Sequence, residues 1–314
     1  MRTNTHDIRV WAALAVVYVI WGSTYLAIMI AIETIPPFIS GGMRFVTAAL
    51  VLGAVVLALK GRRAFRMTRR EFLGAALVGV LLLTAGNGMV AVAEQYITSG
   101  LAALLVASVP LWLVVFRVLA RDRPHLLTVA GVLVGFCGVA GLSLDGGGSG
   151  GGVGIVILLA ASLSWSVGSF LSGRVPMPKD QFAASSVEMI VGGAGMLVIG
   201  LTAGERLHVA EVTAASWLAV AYLVVAGSLV GFTSYTWLLG NAPISLVSTY
   251  AYVNPVVAVL LGFVVLHEAV TAQMLAGGLV IIVGVALVVS TERHRKRPEA
   301  PPAAEPGAAE LSRS

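Results

Sequence analysis

The chain has 314 residues, of which 58% are hydrophobic and only 11% charged, with a mean hydropathy of +0.94. Soluble domains carry about 25% charged residues, so this composition excludes a water-solvated globular domain and defines a membrane protein. The net charge of +5 does not point to nucleic acid, because the placement of the basic residues follows a membrane topology.

A bilayer core of about 30 Å takes about 20 apolar residues in a helix. Residues 10–33 form the first such segment. It exceeds the roughly 7–15-residue apolar region of a cleaved leader, and no soluble domain follows it, so it is expected to remain as a span. Further segments lie at 39–59, 72–94, 97–118, 126–144, 153–173, 182–203, 214–239, 245–266 and 272–290. The breaks between them carry Pro36-Pro37, the basic run from Lys60 to Arg70, Arg121-Asp122-Arg123-Pro124, Asp145 with its glycines, and Pro176 and Pro178. The shallowest break is Gln95 to Gly100. The count is ten.

With residues 1–9 on the cytoplasmic side, every Lys and Arg falls in a cytoplasmic segment or near its edge except Arg206, on the other side, and Arg44, within a span. An error in the number of spans would scramble that bias, so the positive-inside rule predicts ten spans and cytoplasmic N- and C-termini. Residues 145–152 read as a Gly-rich periplasmic linker. The tail 291–314, rich in Pro, Ala and Glu, reads as disordered and cytoplasmic.

The two halves, 10–144 and 153–290, repeat weakly. Trp21 is matched by Trp165, Arg44 by Glu188, Pro110 by Pro255, Asp122 by Glu268, and Gly131 and Gly138 by Gly277 and Gly284, all at a nearly constant offset. Five spans per half is odd, so the second half enters the membrane from the opposite side. The fold expected is all-α and polytopic, ten transmembrane helices as two inverted five-helix repeats. Such repeats support alternating access around a site near the midplane.

Polar groups within spans are costly unless they face a partner or a cavity. The first span carries Trp21, Ser23, Thr24 and Tyr25 at mid-depth. In the third, Thr84, Asn87, Ala91 and Glu94 fall on one α-helical face, with Glu94 either at an outer cavity mouth or capping the helix among headgroups, and Asn87 either lining or bonding a neighbouring helix. Ser108 precedes Pro110 in the fourth. Trp165 and Ser166 lie in the sixth, Ser228 and Tyr235 in the eighth, and Ser248, Tyr250 and Asn254 with Pro255 in the ninth. Pro110 and Pro255 each remove a backbone donor and bend their helices, and Pro255 frees the carbonyl of Ala251. Arg44 and Glu188 are charges within spans, each costing roughly 2.5–3.5 kcal/mol at a helix centre and less nearer an end. Arg44 is expected toward the outer side and Glu188 toward the inner side. Both stand, with Glu94, as candidates for gating or coupling, with structural ion pairing as the alternative.

No phosphate loop follows Ser149, no metal-ligating cluster or nucleophile–His–acid set is visible, and the single Cys137, in an apolar stretch, rules out an internal disulfide. No cofactor is expected.

These residues carry a resemblance. Ile20 to Tyr25, Pro36-Pro37, Arg44-Phe45, Gly86-Asn87-Gly88-Met89-Val90, Ala93-Glu94, Ser99 to Ala103 and Pro110 in the first half look like the EamA-type ten-span exporters of the drug/metabolite transporter superfamily. So do Ser164-Trp165-Ser166, Glu188-Met189, Gly204-Glu205 and Ser248 to Pro255 in the second. The Gly-Asn-Gly-Met-Val and Tyr-Ala-Tyr-Val-Asn-Pro runs look like its YedA-type subgroup. The resemblance implies an inner-membrane exporter with a central cavity lined by spans one, three, four, six, eight and nine. The function expected is alternating-access export of small organic metabolites, amino-acid-like first, driven by protons or passive. Its partners are then the bilayer, a small-molecule substrate and, if coupled, protons, with no nucleic acid. The alternative is a membrane-embedded lipid-modifying enzyme.

Overall fold

The computed structural model describes residues 8–121, 125–144, 151–242, 247 and 249–295. The expectations placed on residues 1–7, Asp122, the 145–150 part of the linker, Ser248 and the tail from 296 onward lie outside those residues.

Every regular element among the described residues is a helix. In chain order the helices are α1 (Ile8–Ile32), α2 (Pro37–Lys60), α3 (Arg69–Ala93), α4 (Ser99–Leu119), α5 (Leu126–Leu144), α6 (Gly151–Ser172), α7 (Gln181–Thr202), α8 (from Ala214 to Asn241), α9 (Tyr250–Leu266) and α10 (Ala272–Arg295). Nine helices among the described residues are long and apolar enough to cross a membrane, and Val253–Leu266 is a shorter apolar tenth. Their outward side chains are aliphatic: Leu59, Leu133 and Val156 are largely exposed, as suits a surface whose solvent is hydrocarbon rather than water.

Five of the starts have a local cause. Pro37 occupies the first helical position of α2, where its missing N–H is not needed. Thr68 and Glu71 form a reciprocal capping box at α3. Thr98 accepts from the Leu101 amide and so opens α4, which makes the shallow break of the sequence a real turn. Asp180 does the same for α7 and Thr213 for α8. Gly61 and Gly204 close α2 and α7 with φ of 71° and 88°, a region glycine adopts without strain.

Three helices are irregular. α3 passes through a π-helical segment at Val80–Asn87, and α8 through another at Leu223–Gly231. α4 is broken between Val106 and Val109, with Pro110 in the first turn of its second piece. Pro255 sits inside a continuous α9.

The packing has a simple order. α2 lies against α7 and α5 against α10; α1 packs on α8 and α9, and α6 on α3 and α4; α3 also meets α7, as α8 meets α2. Advancing each helix by five maps this set of neighbours onto itself. Small residues set the approach at the α5–α10 seam. A Cβ on Gly131 would lie 2.8 Å from the Gly284 carbonyl oxygen, and one on Gly138 would lie 2.9 Å from that of Gly277. Close backbone contact of this kind gives helices in lipid the dispersion contacts that water would otherwise drive. Cys137, on α5, is exposed, as suits an apolar stretch whose surroundings are hydrocarbon.

Candidate functional site

Inside the bundle lies a cavity of about 120 Å³, several times what one water needs. Its wall draws on α1, α2, α3, α4, α6, α7, α8 and α9, so α2 and α7 join the six spans implied by the resemblance. α5 and α10 contribute no described residue to it.

On one side stand Trp21, Thr24 and Tyr25 of α1 with Tyr250, Asn254 and Pro255 of α9. Trp21 packs 4.9 Å from the Tyr235 ring and edge-on to Tyr250 at 5.4 Å. Tyr235 itself is behind this wall, its ring 5.9 Å from Tyr250. The Tyr18 hydroxyl shares a hydrogen bond with Thr249. Trp165 and Pro110 face the cavity from α6 and α4.

Each tryptophan rests on a glycine in or beside a π segment of the other half. A Cβ on Gly231 would come within 2.7 Å of Trp21 Nε1, and one on Gly86 within 3.0 Å of Trp165 Cε3. Trp21 Nε1 also donates to the Gly227 carbonyl at 3.4 Å. An extra backbone residue in a π turn shifts the register of the next helical turns, and such turns are frequent at functional sites. In α8 the shift brings Gly227 and Ser228 to the wall; in α3 it brings Leu83 and Asn87.

Arg44 is also on the wall. It is buried, its Nε donates to Ser228 Oγ at 3.0 Å, and its Nη1 approaches Asn87 Oδ1 at 3.5 Å. It has no contact with Glu188, which is buried on α7 beside Gly79 of α3 and does not line the cavity. Asn254 satisfies its neighbours when its amide nitrogen donates to the carbonyls of Tyr18 (3.2 Å) and Tyr250 (3.1 Å), which leaves Oδ1 as an acceptor.

The single polar stripe expected on α3 is divided. An α-helical face assumes 3.6 residues per turn, and the π segment breaks that count. Asn87 reaches the cavity, but Thr84 points to α7 and donates to the Gly192 carbonyl at 2.8 Å. Glu94 is 2% exposed, off the wall, with both carboxylate oxygens unpartnered among the described residues. It lies within electrostatic reach of Glu268 and of Tyr25. Ser23, Ser108 and Ser166 are buried away from the wall. Ser23 bonds the Ile20 carbonyl and the Tyr222 hydroxyl, and Ser166 bonds the carbonyls of Ser162 and Val109. Hydroxyls three or four residues from a free lone pair on their own helix satisfy themselves locally.

Two carboxylates that sequence reasoning did not single out as site residues tie one element to another. Glu205, after α7, accepts from the amides of Phe38 (3.2 Å) and Ile39 (2.9 Å) at the start of α2. Glu268, after α9, accepts from those of Ser99 (2.8 Å) and Gly100 (3.2 Å) at the start of α4. At the opposite end of the molecule Lys60 pairs with Asp180, which caps its own helix. Phe45, Met189 and Phe232 were also missed as lining. The only signal available was adjacency: Phe45 follows Arg44, and Met189 follows Glu188.

A bundle of membrane-length helices around an internal cavity with aromatic, amide and guanidinium groups on its wall fits the class of membrane transporters. The family model described as the EamA-like transporter family matches residues 9–144 and again 152–290. The chain belongs to the EamA-like transporter family.

Relatives agree with that placement. The chain is 40% identical to a protein named uncharacterized inner membrane transporter YedA, of Escherichia coli K12, over 80% of this chain and 81% of that one. It is 25% identical to the uncharacterized transporter YvbV of Bacillus subtilis, over 90% and 92%. A solved crystal structure superposes with a TM-score of 0.64 at 23% identity, covering 92% of this chain and 99% of that one, and so shares the fold.

Proposed function

We propose that this protein exports small organic metabolites, amino-acid-like molecules first, by alternating access around the cavity, and that its two halves are inverted repeats in an inner membrane with both termini cytoplasmic. The observation that carries this reading is the matched wall: Trp21 and Trp165 both line the cavity, and each packs on a glycine of the other half, Gly231 and Gly86. The shift by five that maps helix neighbours onto themselves supports the repeat, as does the double match of the family model. The distribution of Lys and Arg supports the orientation, and the name of the YedA relative supports the membrane. Family membership favours transport over an embedded lipid-modifying enzyme.

Alternation is testable without knowing the substrate. Ala107, on the wall, is replaced by Cys in a Cys137→Ser background, and vesicles of each orientation are treated with a membrane-impermeant thiol reagent. Labelling from both sides is the expected result. Labelling from one side only, under all conditions, is incompatible with alternating access.

Glu94 is the group we assign to proton coupling, because its carboxylate is buried and unpartnered among the described residues, within electrostatic reach of Glu268 and the cavity residue Tyr25. Glu94→Gln should abolish flux driven by a pH gradient and spare downhill flux. Unchanged coupling would remove Glu94 from that role.

A further inference from the structure

Arg44 holds the sole formal charge on the described cavity wall; none of the wall residues is an Asp, Glu or Lys. Its side chain is 6% exposed. A guanidinium has five N–H donors, and the two bonds found, to Ser228 and Asn87, are to neutral oxygens, the second at 3.5 Å. Among the described residues the one ion pair is Lys60–Asp180, far from Arg44 in the fold. Space is kept open at Nη2: Gly227 is the residue beside it, and a Cβ there would lie 3.1 Å from that nitrogen. A cation removed from water without a counter-ion is costly, and its cost is offset when an anion arrives. Around it the wall is aromatic and aliphatic, with Trp21, Tyr25, Tyr250, Trp165 and Phe232. Apolar walls with one well-placed polar group are how pockets orient small ligands.

We infer that the transported molecule carries a carboxylate on an apolar body, and that Arg44 is the residue that binds the carboxylate. The inference rests on the transporter reading and names its substrate class. The planar fork of Arg matches the two oxygens of a carboxylate, and Ser228 and Asn87 hold the fork in place. Arg44 is then a binding residue, distinct from the proton role given to Glu94.

The test uses three probes of one shape: phenylacetate, phenylacetamide and phenethylamine, measured by thermal shift on the detergent-solubilised full chain. Phenylacetate should bind at least tenfold more tightly than the amide, and the amine weakest. In Arg44→Gln the acid and the amide should become equal. Arg44→Lys should keep part of the preference. A second variant needs no loss of the arginine: Asn87→Asp supplies an internal counter-ion next to Nη1 and should also erase the preference. The inference is overturned if the wild type does not prefer the acid, silence to all three probes included, or if the preference survives in Arg44→Gln or Asn87→Asp. Its failure is separable from that of the transport reading. Two-sided labelling of Ala107→Cys without acid preference sinks the carboxylate alone; acid preference with one-sided labelling sinks alternation alone.

Discussion

At the scale of single residues, the wall is shaped by where small side chains leave room for large ones. Trp21 and Trp165 press against glycines that admit no Cβ without displacing the ring. Gly231→Val and Gly86→Val should each push a tryptophan toward the cavity, with an overpacking cost of about 1–3 kcal/mol. Unfolding in detergent would read the cost, and a changed tryptophan emission the displacement. At the end of the molecule marked by the basic loops, Lys60 Nζ is 2.5 Å from Asp180. Partial burial works against ionisation of Asp180, but Lys60 and the amides of Ala183 and Phe182 outweigh it and hold the carboxyl below its usual value of 3.8. A depressed folded-state pKa means the stabilisation is complete above the unfolded value and is lost as the pH falls through the folded one. Asp180→Ala should therefore cost about 1 kcal/mol at neutral pH as a lost N-cap, and the difference from wild type should shrink below about pH 4. Thermal unfolding across pH checks this. Trp21, Asn87, Tyr250 and Asn254 could be picked from the sequence because polarity or aromaticity at mid-span needs a reason. Phe45, Met189 and Phe232 could not, since an apolar residue in an apolar span looks the same whether it faces a cavity, a neighbour or lipid. Serines were the ambiguous class: Ser228 meets Arg44, while Ser23 and Ser166 are satisfied by nearby carbonyls.

At the scale of the helix, hydropathy and caps located nearly every span to within a few residues, because a bilayer fixes length and water-facing turns need Pro, Gly or a capping side chain. The π segments were not legible. They are defined by which carbonyl each amide chooses, and Val80–Asn87 and Leu223–Gly231 have compositions that any apolar helix can carry. Pro110 was legible as a bend, and α4 is interrupted just before it. Pro110→Ala should restore a longer continuous helix, leave stability equal or higher, and slow flux through the cavity that Pro110 lines; circular dichroism and vesicle uptake measure the two effects. At the α5–α10 seam a side chain on Gly284 would strike the backbone of Gly135. Gly284→Val should lower the unfolding free energy by about 2 kcal/mol, read by thermal unfolding, with no change in ligand preference, since neither helix reaches the wall.

At the scale of the molecule, the chief partner of most helices lies in the other half: α2 on α7, α5 on α10, α1 on α8 and α9, α6 on α3 and α4. That arrangement bears on how the protein is made. The first five helices can enter the bilayer as they are synthesised, since lipid satisfies each one alone, but they have little to pack against until the last five arrive. Tertiary assembly is thus postponed until translation is nearly finished, and a chain interrupted midway is an unassembled set of spans exposed to membrane proteases. Expressed alone, residues 1–144 should be short-lived; expressed together with 151–314 as a separate polypeptide, they should accumulate and co-purify. Accumulation of the first fragment by itself would show that the seams between halves matter less to assembly than their extent implies.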